Sequence, residues 1–156
     1  MGQAPGRLGV DAGMSLSIQS FTACSESLPA LMDFIALRSS SLGLPRGTSL
    51  RLQLVAEELF TNTFRHGQPV VAVQSVTVCI EQAGEDIELI YEDGELPWNP
   101  LAHRDHSHLH LPLAQRPVGG LGVMLIDAFA ERVQYERVQE RNRVRVWLRC
   151  DPLENP

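Results

Sequence analysis

The sequence predicts an α+β fold in which one layer of helices packs on one β-sheet. Two observations carry this prediction. Apolar residues recur at helical spacing in only three stretches, whereas five others alternate as strands, four of them paired in hairpins. Strands grouped apart from helices are typical of a two-layer α+β sandwich. A chain of 156 residues with 44% hydrophobic content is long enough for one domain with a real core.

Composition limits the domain organisation and the class of function. We expect a flexible N-terminal arm at residues 1–13, one domain at 14–150 and a tail at 151–156, because the arm is glycine-rich and shows no periodicity. The net charge of -6 disfavours nucleic acid as a direct partner. No apolar run approaches the roughly 20 residues that cross a bilayer, and no secretory signal is evident. Three widely spaced cysteines suggest a reducing compartment, so we expect a cytoplasmic protein without membrane contacts.

The first half of the chain begins with a predicted edge strand at residues 14–20, which alternates in polarity. Residues 27–41 have helical spacing, with Ser27 placed to cap the helix and Pro29 suited to its first turn. A central amphipathic helix follows at 52–67.

Caps define the expected ends of that central helix. Thr48 or Ser49 can cap its start, and Gly67 can adopt the left-handed conformation at its end. A helix bounded in this way presents one broad apolar face to the core.

The second half of the chain contains the two predicted hairpins and a further helix. A turn at Ala83 and Gly84 joins the first two strands, and residues 139–142 join the last two. The irregular stretch at 94–120 is long enough to suggest a binding loop or lid. The elements predicted here are strands at 75–82 and 86–93, a helix at 121–129, and strands at 132–138 and 143–150.

The first motif with chemical potential lies on the central helix. Glu58 and Asn62 are four residues apart, so they stack one turn above the other at the margin of the apolar face. An Asn carbonyl together with phosphate oxygens suits Mg²⁺, and a carboxylate one turn back can deprotonate a nucleophile. Because the pattern is short, taken alone it favours ordinary boundary residues, and only the rest of the chain can favour a site.

The second motif follows a predicted strand. Asp93 ends the strand and precedes the turn-rich sequence G-E-L-P-W-N-P. A carboxylate in that place can accept a hydrogen bond from an exocyclic amine such as that of adenine. The alternative is a plain Asp-Gly turn.

The third motif is the glycine-rich sequence R-P-V-G-G-L-G at residues 116–122, which runs directly into a helix. Glycines let the backbone approach a ligand closely, and the free amides of a helix N-terminus bind anions. A phosphate cradle is therefore reasonable, although a flexible turn with a helix cap would look the same.

Taken together and in this order, the three motifs resemble the Bergerat-fold (GHKL) ATPases. The sequences VAEELFTNTFRHG, PWNP and RPVGGLGVMLIDAFAERVQYERVQERNRVRV are most similar to the small anti-sigma-factor serine/threonine kinases, over residues 15–149. This resemblance implies a mixed, mostly antiparallel sheet with helices on one face. It also implies ATP and Mg²⁺ as cofactors.

The resemblance assigns roles to residues of each motif. It implies Glu58 as the catalytic general base, Asn62 as the Mg²⁺ ligand and Asp93 as the adenine-binding acid, and it makes residues 101–118 the ATP lid. Glu57 lies about 100° further round the helix and is the poorer candidate for the base. The remaining nucleotide-binding residues that the resemblance implies are Arg116, Gly119, Gly120, Leu121 and Gly122.

One departure from the family pattern lies at the adenine motif. The family usually has Asp-x-Gly, whereas this chain has Asp93-Gly94-Glu95. Glu92 could supply the acid instead, but counting back from Pro97 favours Asp93.

The function that the resemblance implies is transfer of the ATP γ-phosphoryl group to Ser or Thr of an anti-anti-sigma protein, combined with sequestration of a sigma factor. Family members often form homodimers. One alternative is a non-catalytic protein-binding module of the same fold, and another is a detached histidine-kinase ATPase half, which lacks support because no phospho-acceptor helix pair is present. Four lid histidines could bind a metal, but their spacing favours a solvated, pH-sensitive lid: His103, His106, His108 and His110.

Overall fold

The computed structural model describes residues 17–66, 74–103 and 121–150. Within these ranges three helices and five strands form a two-layer α+β arrangement, which confirms the predicted fold class. Short 3₁₀ turns at Ser25–Ser27 and Pro100–His103 complete the regular structure of the described residues. In chain order the main elements are β1 (Ile18–Thr22), α1 (Leu28–Ser41), α2 (Arg46–His66), β2 (Ser75–Ala83), β3 (Asp86–Asp93), α3 (Leu121–Phe129), β4 (Arg132–Val138) and β5 (Arg141–Arg149).

The sheet has the strand order β1-β2-β3-β5-β4, and every pairing among these strands is antiparallel. Strand β5 lies between β3 and β4, so the two predicted hairpins join at the β3–β5 pair. In that pair Asp93 is directly opposite Asn142. The ends of the two central strands are thereby placed side by side at one edge of the core.

The core forms between one face of the sheet and the three helices. Alternate side chains of β2, β3 and β5 point into it, as the period of two in a strand requires. The opposite face carries ion pairs between neighbouring strands, including Arg145 with Glu88 and Arg143 with Glu92. The fully buried side chains of the core include Leu31, Ile35, Leu52, Val55, Phe60, Val76, Val78, Ile80, Ile87, Leu89, Tyr91 and Leu148.

The start of α2 differs from the prediction. The helix begins at Arg46, so neither Thr48 nor Ser49 caps it. The Pro45 carbonyl, just before the helix, accepts a hydrogen bond from the Ser49 amide at 3.1 Å, so Thr48 and Ser49 lie within the first turn. The Thr48 side chain is buried and accepts a hydrogen bond from Arg51 instead. The predicted end at Gly67 lies outside the described residues.

The other predicted boundaries are close to those observed. Ser27 stands at the N-cap of α1 but makes no capping side-chain hydrogen bond, and Pro29 lies in the first turn as predicted. Strand β1 is displaced toward the C-terminus, because Phe21 is the residue that enters the core and contacts Phe34 at a ring-centroid distance of 5.9 Å. Ile18 consequently lies on the other face and is 52% exposed. The arm, the first residues of the predicted edge strand and the tail lie outside the described residues.

Each hairpin has a two-residue turn, but the two turns differ in their residues. Gly84 has φ +68°, which suits the first position of a type II′ turn. Gln139 and Glu140 have φ of 49° and 63°, the pattern of a type I′ turn, in which Asn-Gly is strongly preferred. The β4–β5 turn therefore holds two side chains in a region that L-residues rarely occupy.

Replacing this turn by Gln139→Asn with Glu140→Gly is expected to stabilise the domain by about 1 kcal/mol, because the strained backbone is relieved. Urea unfolding followed by circular dichroism measures the change. Gly84→Ala makes the opposite change, because it puts a side chain on a residue with positive φ. A Cβ there meets no atom within 4 Å, so the expected loss of about 1 kcal/mol in stability comes from backbone conformation alone. An unchanged or lower stability of the Asn-Gly variant would contradict the assignment of strain to this turn.

Candidate functional site

The first part of the site is a polar pair on α2. The Asn62 side-chain amide donates a hydrogen bond to Glu58 Oε1 at 3.1 Å, and both side chains are half-buried. Glu57 is exposed by comparison. Because the amide nitrogen faces Glu58, the Asn62 carbonyl oxygen is left as the atom that can bind a cation. An oxygen ligand of this type is what Mg²⁺ requires, so the residues fit the ion.

The second part of the site is Asp93, which continues the inward-facing series of β3. Ile87, Leu89 and Tyr91 precede it in this series, and Asp93 itself is only 7% exposed. Apolar side chains thus give way to a carboxylate where the strand leaves the core. A buried carboxylate needs hydrogen-bond donors, and Asp93 receives them from three elements described below.

Thr63 connects these two parts. Its hydroxyl lies 2.6 Å from the Tyr91 hydroxyl and 3.4 Å from Asp93 Oδ2. Thr63 is also the residue after Asn62 in the helix. It is therefore next to the polar pair in sequence and next to the Asp93 carboxylate in space. The helix that carries the first motif therefore contacts the carboxylate of the second motif through Thr63.

Tyr91 is held in its neutral form. Burial raises its pKa well above the usual value, the hydrogen bond to Thr63 opposes that rise, and the negative charges of Asp93 and Glu95 add to it. A protonated Tyr91 can donate to Thr63, which leaves the Thr63 hydrogen for Leu59 O or Asp93. The hydroxyl pair thus supports Asp93 as an acceptor.

The turn after β3 is built on Asp93. The Glu95 amide donates to Asp93 Oδ1 at 3.0 Å, which is the hydrogen bond of an Asx turn. Neither Gly94 nor Glu95 has a positive φ: in the described part of the chain the residues with positive φ are Gly43, Gly84, Gln139 and Glu140. The displaced glycine therefore introduces no backbone strain.

Glu92, the alternative acid, lies on the other face of the sheet. It forms ion pairs there with Arg143 and Arg141, the latter at 3.7 Å. Asp93 is thus the acid that points toward α2, although its role with a nucleotide stays a prediction.

Asn142 is a site residue that the sequence analysis missed. It is 2% exposed and lies opposite Asp93 at the start of β5. Its amide donates to Asp93 Oδ1 at 2.8 Å and to the Leu96 carbonyl at 3.0 Å. Its carbonyl oxygen accepts hydrogen bonds from the Tyr135 hydroxyl, the Arg137 guanidinium and the Trp98 amide at 2.8, 2.9 and 3.2 Å. One carboxamide therefore ties the turn after β3 to the β4–β5 hairpin.

Much of the third motif cannot be placed. Arg116, Gly119 and Gly120 lie outside the described residues, as do most of the predicted lid and three of its four histidines. Leu121 and Gly122 are the first two residues of α3, so a helix does begin where the glycine-rich sequence ends. Helix α3 packs against α2, the helix that carries Glu58 and Asn62.

Three further expectations concern metals, membranes and thiols. No group of His, Cys, Asp and Glu within 17–66, 74–103 and 121–150 has the arrangement of a metal site. None of the described helices combines the length and apolar character needed to span a bilayer. All three cysteines, Cys24, Cys79 and Cys150, are free thiols.

Comparison with known families gives one assignment. Residues 21–148 match the model of the histidine kinase-like ATPase domain, which covers most of the chain. No curated protein matches the chain. Among solved structures, the chain is similar to the histidine kinase domain of the blue-light activated histidine kinase from Erythrobacter litoralis EL346. The identity is 16% and the TM-score 0.49, over 77% of this chain and 61% of that one.

The extent of the family match defines the class of this protein: the chain belongs to the histidine kinase-like ATPase domain family. Membership implies ATP binding. The more specific assignment to anti-sigma-factor kinases goes beyond the family match and is a proposal.

Proposed function

We propose that this chain is an ATP-dependent protein serine/threonine kinase of the anti-sigma type. In this proposal it phosphorylates an anti-anti-sigma protein and sequesters a sigma factor, so that its two partners exchange according to phosphorylation. The observation that supports it most is the hydrogen-bonded pair Glu58–Asn62 next to Thr63 and Asp93. A general base (Glu58), a cation ligand (Asn62) and an acid that can recognise adenine (Asp93) are thereby available on neighbouring elements.

The site residues divide the work of binding and transfer. Asp93 accepts a hydrogen bond from the adenine amine, and the start of α3 offers backbone amides to the phosphates. Asn62 holds Mg²⁺ through its carbonyl oxygen. The ion, when bound, neutralises charge on the transferred phosphoryl group. Arg116, Gly119 and Gly120 are proposed to contact the phosphates as well.

The chemical step is an in-line displacement at the γ-phosphorus. The hydroxyl oxygen of the partner's Ser or Thr forms a bond to that phosphorus, and the bond from phosphorus to the β,γ-bridging oxygen breaks. The hydroxyl proton passes to the Glu58 carboxylate, and ADP leaves with the bridging oxygen. Asn62 keeps Glu58 oriented through the 3.1 Å hydrogen bond.

Glu58→Gln is expected to reduce phosphoryl transfer by about 100-fold or more while ATP still binds, because the variant keeps the shape of the side chain and loses the base. The measurement is mass-spectrometric detection of phosphoserine or phosphothreonine on small anti-anti-sigma proteins incubated with the chain, ATP and Mg²⁺. Glu57→Gln is the matched control, since Glu57 is exposed on the same helix. Transfer at the wild-type rate in Glu58→Gln, or phosphate found on histidine, would reject the proposed activity.

A second candidate function is a protein-binding module of the same fold that makes little or no use of ATP. The altered adenine motif Asp93-Gly94-Glu95 and the histidine-rich lid favour it, because both depart from the pattern of the resembled kinases. Partner binding with equal affinity in the presence and absence of ATP, and no transfer to any partner, would support this module over the kinase.

A further inference from the structure

The two carboxylate oxygens of Asp93 have unequal surroundings. Oδ1 accepts hydrogen bonds from the Asn142 side-chain amide at 2.8 Å and from the Glu95 backbone amide at 3.0 Å. Oδ2 lies 3.4 Å from the Thr63 hydroxyl, which is long for a hydrogen bond between two oxygens. Because each carboxylate oxygen can accept about two hydrogen bonds, the capacity that Asp93 keeps for a ligand is on Oδ2.

Three donors fix the direction in which the Asn142 carboxamide points. Its carbonyl oxygen accepts hydrogen bonds from the Tyr135 hydroxyl at 2.8 Å, the Arg137 guanidinium at 2.9 Å and the Trp98 amide at 3.2 Å. In the reversed orientation, the NH₂ group would face these donors and the carbonyl oxygen would face the Asp93 carboxylate. The network therefore makes Asn142 a donor to Asp93.

A buried carboxylate held through one oxygen accepts in one direction. Asp93 is 7% exposed and Asn142 is 2% exposed, so water does not readily replace the bond between them. Turning the Asp93 carboxyl group would break both hydrogen bonds on Oδ1. Oδ2 is thereby kept on the side of Thr63 and α2, the helix that carries the proposed Mg²⁺ ligand.

We propose that Asn142 is a positioning residue for base recognition, which holds Asp93 Oδ1 and so directs Oδ2 to the exocyclic amine of adenine. This inference rests on the proposed ATP-binding function. It gives a role to a carboxamide on β5 that belongs to none of the three sequence motifs. Without Asn142, Asp93 keeps its charge but its carboxylate can turn, so the amine contributes less to binding.

The test is calorimetric binding of ATP and of purine riboside triphosphate, which has hydrogen in place of the exocyclic amine, each with Mg²⁺. The wild type is expected to prefer ATP by about 10-fold or more, because the amine bonds to a charged acceptor. Asn142→Ala should bind the two nucleotides about equally. Circular dichroism at the temperature of the titration verifies that each variant is folded.

A second variant changes the donor and keeps the shape of the side chain. Asn142→Asp retains an oxygen for Tyr135, Arg137 and Trp98 but turns a second oxygen toward Asp93. At pH 8 the contact with Arg137 favours the ionised form of the introduced carboxyl group, which then repels Asp93. The preference for ATP should therefore be lost in this variant as well.

Leu148→Ala separates positioning from stability. Leu148 is fully buried in the same inward-facing series of β5, about 20 Å along the strand from Asn142. Its truncation destabilises the domain by an amount comparable to that of Asn142→Ala. A residue that acts only on the stability of the fold would give the same result in both variants, whereas we expect Leu148→Ala to keep the wild-type preference for ATP.

Hydrogen exchange in the wild type needs no variant. Nuclear magnetic resonance of the Asn142 side-chain amide should show protection from exchange in the free protein, and the protection should persist when ATP binds. Loss of protection in the ATP complex would mean that Asp93 leaves Asn142 to bind the base, which would overturn the inference.

Two further results would overturn the inference while leaving the ATP site intact: a wild-type preference for ATP in Asn142→Ala, or loss of the preference in Leu148→Ala to the same extent. Equal wild-type affinity for the two nucleotides would reject recognition of the amine by Asp93, and the inference with it. Absence of binding of either nucleotide to the wild type would instead reject the proposed function.

Discussion

Asn142→Ala is expected to lower the free energy of unfolding by about 3 kcal/mol or more. The truncation leaves the Tyr135 hydroxyl, Arg137 and the Trp98 amide without their shared acceptor, and it removes a donor from Asp93. Asn142 is 2% exposed, so water does not readily replace these bonds. Each buried group left unsatisfied costs about 1–3 kcal/mol, and Arg137, which is exposed, contributes least.

Urea unfolding followed by tryptophan fluorescence and circular dichroism measures this effect. Gln134→Ala is the matched control, because it removes an exposed carboxamide from the same hairpin and should change stability by no more than about 0.5 kcal/mol. A loss below about 1 kcal/mol for Asn142→Ala would mean that the turn after β3 does not depend on this residue.

Periodicity predicted the parts of the fold that the core dictates. The strands of both hairpins alternate because one face of the sheet is buried, and that constraint is visible in the residues themselves. Helix α3 coincides with the prediction at Leu121–Phe129 because its apolar residues come in a short, bounded run. Boundaries that depend on backbone hydrogen bonds were less accurate, as at the start of α2, where Pro45 takes the place expected for Thr48 or Ser49.

Sequence motifs mark the predicted site residues, whereas only strand register marks Asn142. Glu58, Asn62 and Asp93 belong to recognisable patterns, and the structure places them on adjoining elements. Asn142 belongs to none, yet it occupies the inward series of β5 with Val144 and Val146. The predicted strand began at residue 143, which left Asn142 in the turn. Extending the alternation by one residue would have shown a polar side chain in a core position.

Asn62→Ala is expected to weaken ATP binding in the presence of Mg²⁺ by about 10- to 100-fold and to leave Mg²⁺-free binding nearly unchanged. The reason is that the variant removes the carbonyl oxygen proposed to hold the ion, while Asp93 and the start of α3 are intact. It also frees Glu58 from its 3.1 Å hydrogen bond. Gln53→Ala, which removes a half-buried carboxamide from the same helix, should behave like the wild type.

Calorimetric titration of ATP into the wild type and Asn62→Ala, with and without Mg²⁺, measures whether Asn62 holds the ion. We expect Mg²⁺-enhanced binding in the wild type and in Gln53→Ala, and loss of the enhancement in Asn62→Ala. Equal Mg²⁺ enhancement in the wild type and Asn62→Ala, or no ATP binding by the wild type at millimolar concentrations, would contradict this expectation.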